Sequence, residues 1–288
     1  MKAKKKQARG LEEVSHFFLS HQSPSPIEEP SGKETQAPPC EVSSLASNAA
    51  HGFPLFFFSS SGLFAEKSFL ACNLAIELAK RNFSVGLIET TTRVPNTFFL
   101  LGSLFPESAP ALESLKLFDI SIGSPKNIRA VFWKKNVDYR DALTTLNRLR
   151  SESEFLIINA TPEILGLREM TCFMNHFFIV PFAERPEQIL NSYLVLKQIS
   201  RHVSCGEIGL LVMEEGFSQN TDAAFKILTD MASKFLSCKV RCAGAIPKAA
   251  EFFRSILDRV PLLLEEENSA VSRSIKTLAD LIQKDHPV

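Results

Sequence analysis

The 288-residue sequence carries no net charge, because lysine plus arginine and aspartate plus glutamate both number 32. A uniform field that would draw in nucleic acid is thereby excluded, and any electrostatic recognition must come from a local patch. No apolar run approaches the roughly 20 residues needed to span a bilayer, and the basic start of the chain has no apolar stretch behind it to form a secretory signal. The six cysteines (Cys40, Cys72, Cys172, Cys205, Cys238 and Cys242) are scattered. Only Cys238 and Cys242 lie close together, without a second pair or a histidine beside them to complete a tetrahedral zinc site. There is no internal repeat and no heptad seam. These absences lead us to expect a cytosolic, thiol-reduced globular protein without a resident metal.

What is present is apolar and unevenly placed. Hydrophobic residues make up 45% of the chain, enough for one large core. Lys2, Lys4, Lys5, Lys6 and Arg9 stand without an acidic neighbour ahead of Phe17, Phe18 and Leu19, which reads as a basic helical arm over residues 1–20. In residues 21–51, Pro24, Pro26, Pro30, Pro38 and Pro39 lie too close together for regular helix or central strand. Few large apolar residues offset the cost of ordering that stretch, so it reads as a disordered linker.

From residue 52 to 288, strand-length apolar runs alternate with segments of helical period. Strands are expected at 55–59, 84–89, 116–120, 155–159, 177–181, 208–213 and 241–244. Helices are expected at 67–81, 138–150, 186–201, 221–236, 249–258 and 271–283. This alternation predicts a doubly wound α/β fold, a mostly parallel sheet with helices on both faces. The stripe Val271, Ile275, Leu278, Leu281 and Ile282 on the last helix reads as a face packed on the sheet rather than on a membrane.

Between the first expected strand and helix lies LFFFSSSGLFAEKS, Leu55 to Ser68. A phosphate site needs backbone N–H groups at a helix N-terminus, a lysine to reach the outer phosphates and a hydroxyl for Mg²⁺. Lys67 and Ser68 have the residue types for the last two. The segment SFLACNLAIELAKRNFSVGLIETTTRVPNTFFLLG, Ser68 to Gly102, then resembles the MinD/ParA family of P-loop ATPases without a gap. Asn73, Leu74, Ala75, Leu78 and Ala79 match that family's first helix, and Val85, Leu87 and Ile88 its second strand. Asn96 and Gly102 keep their spacing to it. FLIINATPEI, Phe155 to Ile164, is similar to the switch II strand. Pro186, Ile189, Tyr193 and Lys197, the GAIP run at Gly244 to Pro247, and ENSAVSRSIKTLADLI resemble the FlhG-type flagellar-number regulators within the family.

The resemblance implies a nucleotide site at Ser61, Gly62, Lys67, Ser68, Glu89 and Asn159, and it also marks departures. Aligned on Lys67, the signature-lysine position is Gly62 and the glycine before Lys67 is Glu66. The second-strand acid survives as Glu89, while the switch I and switch II aspartate positions hold Thr91 and Asn159. The base-contacting asparagine position holds Met213. A side chain forced into a glycine-only conformation costs roughly 1–3 kcal/mol. A carboxylate about 5 Å from a phosphate charge costs about 3 kcal/mol at an effective dielectric of ~20. Micromolar affinity amounts to about 8 kcal/mol, so these changes remove most of it.

The expectation is a degenerate site without catalytic residues, holding ATP and Mg²⁺ weakly if at all, with Ser68 the one metal contact should a nucleotide bind. Such a protein would be a noncatalytic regulator or scaffold working through protein partners, in polar or flagellar positioning. An ATP-dependent switch with an unorthodox P-loop is the alternative, and a site for some other anion at the same helix N-terminus is a third reading. FlhG-type proteins begin with a short Asp-Gln-Ala-x-x-Leu helix that stimulates a signal-recognition-type GTPase. Here Gln7, Ala8 and Leu11 match it, with Lys6 at the aspartate. Homodimerisation and peripheral membrane contact stay open, and no sequence-specific nucleic-acid partner is expected.

Overall fold

The computed structural model of the protein describes residues 53–57, 63–104, 115–123, 126–133, 137–161, 164, 177–202, 207–214, 221–236 and 238–285. The expected arm with Gln7, Ala8 and Leu11, the linker, and the loop positions Ser61 and Gly62 lie outside these residues.

Among the described residues, the apolar runs assemble into one eight-stranded sheet of order β3-β4-β2-β5-β1-β6-β7-β8. Its strands are β1 (Phe53–Phe57), β2 (Val85–Glu89), β3 (Leu117–Ile120), β4 (Ile128–Phe132), β5 (Phe155–Asn159), β6 (Phe177–Phe182), β7 (Glu207–Glu214) and β8 (Val240–Pro247). All neighbouring strands are parallel except β3, which runs antiparallel along the edge of β4. The helices are α1 (Phe64–Lys80), α2 (Thr97–Leu100), α3 (Tyr139–Ser151), α4 (Pro186–His202), α5 (Thr221–Phe235), α6 (Ala250–Asp258), α7 (Leu262–Glu265) and α8 (Ala270–Asp285). The expected doubly wound α/β architecture is therefore the observed one.

Strands β2, β5 and β6 are buried along their whole length, which is why they read as continuous apolar runs rather than alternating ones. Their alternate side chains serve different layers. Leu55, Phe57, Val85, Leu87, Phe155 and Ile157 join the core under α1 and α8. The opposite face meets α3: a Cβ on Gly86 would come within 2.7 Å of Leu156, 2.8 Å of the Ser153 hydroxyl and 3.0 Å of Leu149, so only glycine permits that approach. As expected, Val271, Ile275, Leu278 and Ile282 of α8 are buried, packed on α1 and β8. Arg81 ties α1 to α8 by binding Glu77 at 2.8 Å and the Lys276 carbonyl at 3.1 Å, with Asp280 and Gln283 beside it.

Two differences from the expected elements have physical causes. Strand β4 was hidden because Arg129 interrupts its apolar run. Its charge is balanced by Asp119, its register partner on β3 at 2.8 Å, and by Glu152. Helix α1 begins at Phe64 rather than Lys67, because Phe64, Ala65 and Glu66 include no glycine, proline or β-branched residue to stop it. Helices α2 and α7 are single turns too short to show a period.

Candidate functional site

Strands β1, β5 and β2 lie side by side and end together at the C-terminal edge of the sheet, so that Phe57, Asn159 and Glu89 stand in register. Helix α1 starts beside this edge. Its N-cap, Leu63, has no side-chain acceptor for the first-turn N–H groups. The Lys67 amide already donates to the Leu63 carbonyl at 3.1 Å, as part of the helical ladder. The early helix start thus places Lys67 inside α1, one turn beyond its open N–H groups. Its side chain is fully buried, and Nζ donates to the carbonyl of Ala160, just past β5, at 2.8 Å. The ring of Phe64, one turn back, has its centroid 5.9 Å from that ammonium and 4.7 Å from the Arg93 guanidinium.

Glu89, like Lys67, is a fully buried ionisable residue. Oε1 accepts from the Thr91 amide at 2.8 Å, and Oε2 from the Thr97 amide and hydroxyl at 2.9 Å each and from Asn159 Nδ2 at 2.6 Å. Burial pushes this carboxyl above the ordinary carboxylate range, while the charge of Lys67 and the donors from Thr97, Thr91 and Asn159 pull it back down. Asn159 Nδ2 also donates to Ser68 Oγ at 3.1 Å, linking the end of β5 to α1. Asn159 Oδ1, fully buried, has no hydrogen-bond partner among the described residues. Cys72, one turn along α1 from Ser68, has its thiol pKa driven up by burial and by the Glu89 charge, so it behaves as an apolar filler and not a nucleophile.

A second charge pair flanks this network. Glu66 bonds Lys248 at 2.7 Å, with side chains only 11% and 9% exposed. Lys248 directly follows β8, and its amide is held by the Glu214 carbonyl at 2.9 Å. Phe252 of α6 meets Phe69 of α1 with centroids 4.5 Å apart. The entry to α6 at Lys248 and the helix itself at Phe252 are therefore fastened to the first turns of α1 by an ion pair and a ring contact. Glu66 places a carboxylate in the first turn of α1, where the partial positive charge of the helix attracts an anion.

Of the six site positions inferred from sequence, Lys67, Ser68, Glu89 and Asn159 converge, and Ser61 and Gly62 lie outside the described residues. Met213 is buried in the core at the end of β7. Asn96 is a helix cap: its Oδ1 accepts from the Phe99 amide at 2.9 Å, and its Nδ2 donates to the Thr91 carbonyl at 3.2 Å. Sequence reasoning missed Thr97, the Ala160 carbonyl and Lys248. The one hint of the last was an unmatched acid in the loop, which a buried setting obliges to find a cation.

No protein-family model matches the chain, and no curated protein sequence matches it. Solved structures do. A chain of the MinC:MinD cell division protein complex of Aquifex aeolicus superposes with a TM-score of 0.63 at 14% identity, covering 82% of this chain and 98% of that one. The cell division ATPase MinD of Pyrococcus furiosus gives 0.59 at 14% identity, covering 82% and 100%. A plasmid partition protein of Borrelia burgdorferi, bound to AMPPNP, gives 0.59 at 15% identity, again covering 82% and 100%. The fold is that of the MinD/ParA-type P-loop ATPases.

Proposed function

We propose that this chain is a noncatalytic MinD/ParA-like regulator or scaffold that acts by recruiting protein partners. The observation that carries the reading is the internal satisfaction of the charges around Lys67. A nucleotide such as the AMPPNP bound by the Borrelia protein, held with Mg²⁺, needs a mobile ammonium, open N–H groups and several oxygens for the metal. Here the Lys67 ammonium is wholly buried on the Ala160 carbonyl, and Glu89 already accepts four hydrogen bonds. Ser68 is held by Asn159, and Glu66 adds an anion beside the N–H groups of α1. One orphaned amide oxygen, Asn159 Oδ1, does not make a magnesium site. These residues do not fit the group.

That same orphaned oxygen favours the second reading, an ATP-dependent switch with an unorthodox P-loop, since a buried acceptor without a donor is where a bound water or ligand group would be welcome. Calorimetric titration with ATP and Mg²⁺ separates the two. The scaffold reading expects no heat up to about millimolar nucleotide, and affinity near about 1 μM would put the switch first.

For partners, the resemblance to FlhG-type proteins supports the Gln7, Ala8 and Leu11 arm as the contact for a signal-recognition-type GTPase, and polar or flagellar positioning as the process. Deleting residues 1–20 should then abolish stimulation of such a GTPase while leaving the melting temperature of the α/β domain unchanged. Stimulation that survives the deletion would remove the arm from the proposal.

A further inference from the structure

We propose that the face formed by α6 and the segment entering α2 is a docking surface for an acidic amphipathic helix of a partner protein. The inference rests on the partner-recruiting reading above and names a surface for it. Three large apolar side chains stand exposed there: Val94 at 64%, Phe253 at 52% and Leu257 at 78%. A closed ring of contacts joins their elements. Arg93, beside Val94, lies over the Phe64 ring at the start of α1. Phe69, further along α1, meets Phe252, whose ring is 5.1 Å from that of Phe253. Arg259, the C-cap of α6, lies 4.5 Å from the ring centroid of Phe99 in α2, the helix that Val94 leads into. Phe253 and Leu257, four residues apart, share one face of α6.

The rim of this face sets the chemistry of its partner. Arg93 and Arg259 are exposed, are each held over an aromatic ring, and have no ion pair among the described residues. Arg81, Arg129, Arg148, Arg241 and Arg254 each have a carboxylate in contact, and Arg140, Arg201 and Arg273, which have none among the described residues, stand over no aromatic ring there. A guanidinium already held on a ring loses little further freedom on meeting a carboxylate, and its fork matches the two oxygens. Two such cations beside an apolar strip complement an amphipathic helix that carries carboxylates beside its apolar residues. A nucleic acid complements it less well, because a phosphate backbone gives Phe253 and Leu257 nothing to bury against.

The test is fluorescence anisotropy on the full chain with defined probes: a designed amphipathic helix with glutamates flanking its apolar stripe, the same helix with lysines, a scrambled acidic peptide and a DNA duplex. The glutamate helix should bind at least about tenfold more tightly than the lysine helix. Leu257→Ser should remove that binding, and Arg93→Glu with Arg259→Glu should reverse the preference towards lysine in a chain that still unfolds cooperatively. Leu194→Ser, exposed on α4, should change nothing. Equal affinity for both helices, no saturable binding, indifference to Leu257→Ser, or capture of the duplex in place of the peptide would each overturn the proposal. The nucleotide titration reports on Lys67 and Glu89 alone, so either reading can fail while the other stands.

Discussion

Glu89 and Asn159 are register partners at the ends of β2 and β5, and the Asn159 amide donates to the Glu89 carboxylate at 2.6 Å. This bond needs a donor at Asn159, the position that the sequence resemblance aligns with the family's switch II aspartate. Asn159→Asp would set two buried carboxylates against each other, and they would have to share a proton. The pair's upper pKa would then lie above the unfolded values, so stability is retained at low pH and lost as pH rises. In urea unfolding, the deficit of Asn159→Asp against the wild type should be small near about pH 4 and should grow by up to about 1.4 kcal/mol per pH unit above it. A pH-independent deficit would dissociate Asn159 from Glu89. Recovery in Mg²⁺ alone would favour the switch reading.

Lys67 is a structural residue of this network before it is anything else. Lys67→Met removes the ammonium facing the Ala160 carbonyl and leaves Glu89 buried without its opposing charge. Breaking a buried pair from one side costs about 3–5 kcal/mol. In a domain of this size that lowers the melting temperature by roughly 6–20 °C, readable by circular dichroism. Adding Glu89→Gln should restore part of the loss. Unchanged melting together with lost nucleotide binding would return Lys67 to a ligand role.

Glu89 itself should leave a signature in the pH dependence of stability. Burial raises its pKa above the reference value of 4.5, so the folded state holds the proton more tightly than the unfolded state. Its contribution is then fully present below pH 4.5 and lost as pH rises through the folded pKa. The wild-type stability, measured relative to Glu89→Gln at each pH, should therefore decline from acid towards neutral. A relative stability that climbs over the same interval would mean that Lys67 and the surrounding donors outweigh burial.

The readability of these features from sequence followed their locality. Strand β5 was placed residue for residue because FLIIN is a continuous apolar run, and α8 was oriented by the spacing of Val271, Ile275, Leu278 and Ile282. Strand β4 escaped because the meaning of Arg129 depends on Asp119, found only when β3 folds back beside it. In the site, residue types marked Lys67, Ser68, Glu89 and Asn159 but not their state. That Lys67 faces a carbonyl follows from where α1 begins, and helix boundaries are set by the balance of weak local propensities against packing. Nothing local to Glu66 could have named Lys248, 182 positions away (248 minus 66).

That Glu66–Lys248 pair bears directly on whether α6 is rigidly placed. With both side chains nearly excluded from water and 2.7 Å apart, removing either partner takes away a close opposite charge, so Glu66→Gln and Lys248→Met should each destabilise more than their exposed neighbours do. The double variant should be less unstable than the sum, giving a coupling of about 1–3 kcal/mol in a double-mutant cycle. Phe252→Ala, which deletes the ring against Phe69, should cost about 3–5 kcal/mol. Phe253→Ser, half-exposed one residue on, should stay within about 0.5 kcal/mol of the wild type. Hydrogen exchange locates the consequence. If the ion pair and the ring hold α6 on α1, Lys248→Met should speed exchange in α6 while sparing β5. Uniform acceleration would instead mean that α6 opens only with the whole domain, and that the ion pair contributes to global stability without placing the helix.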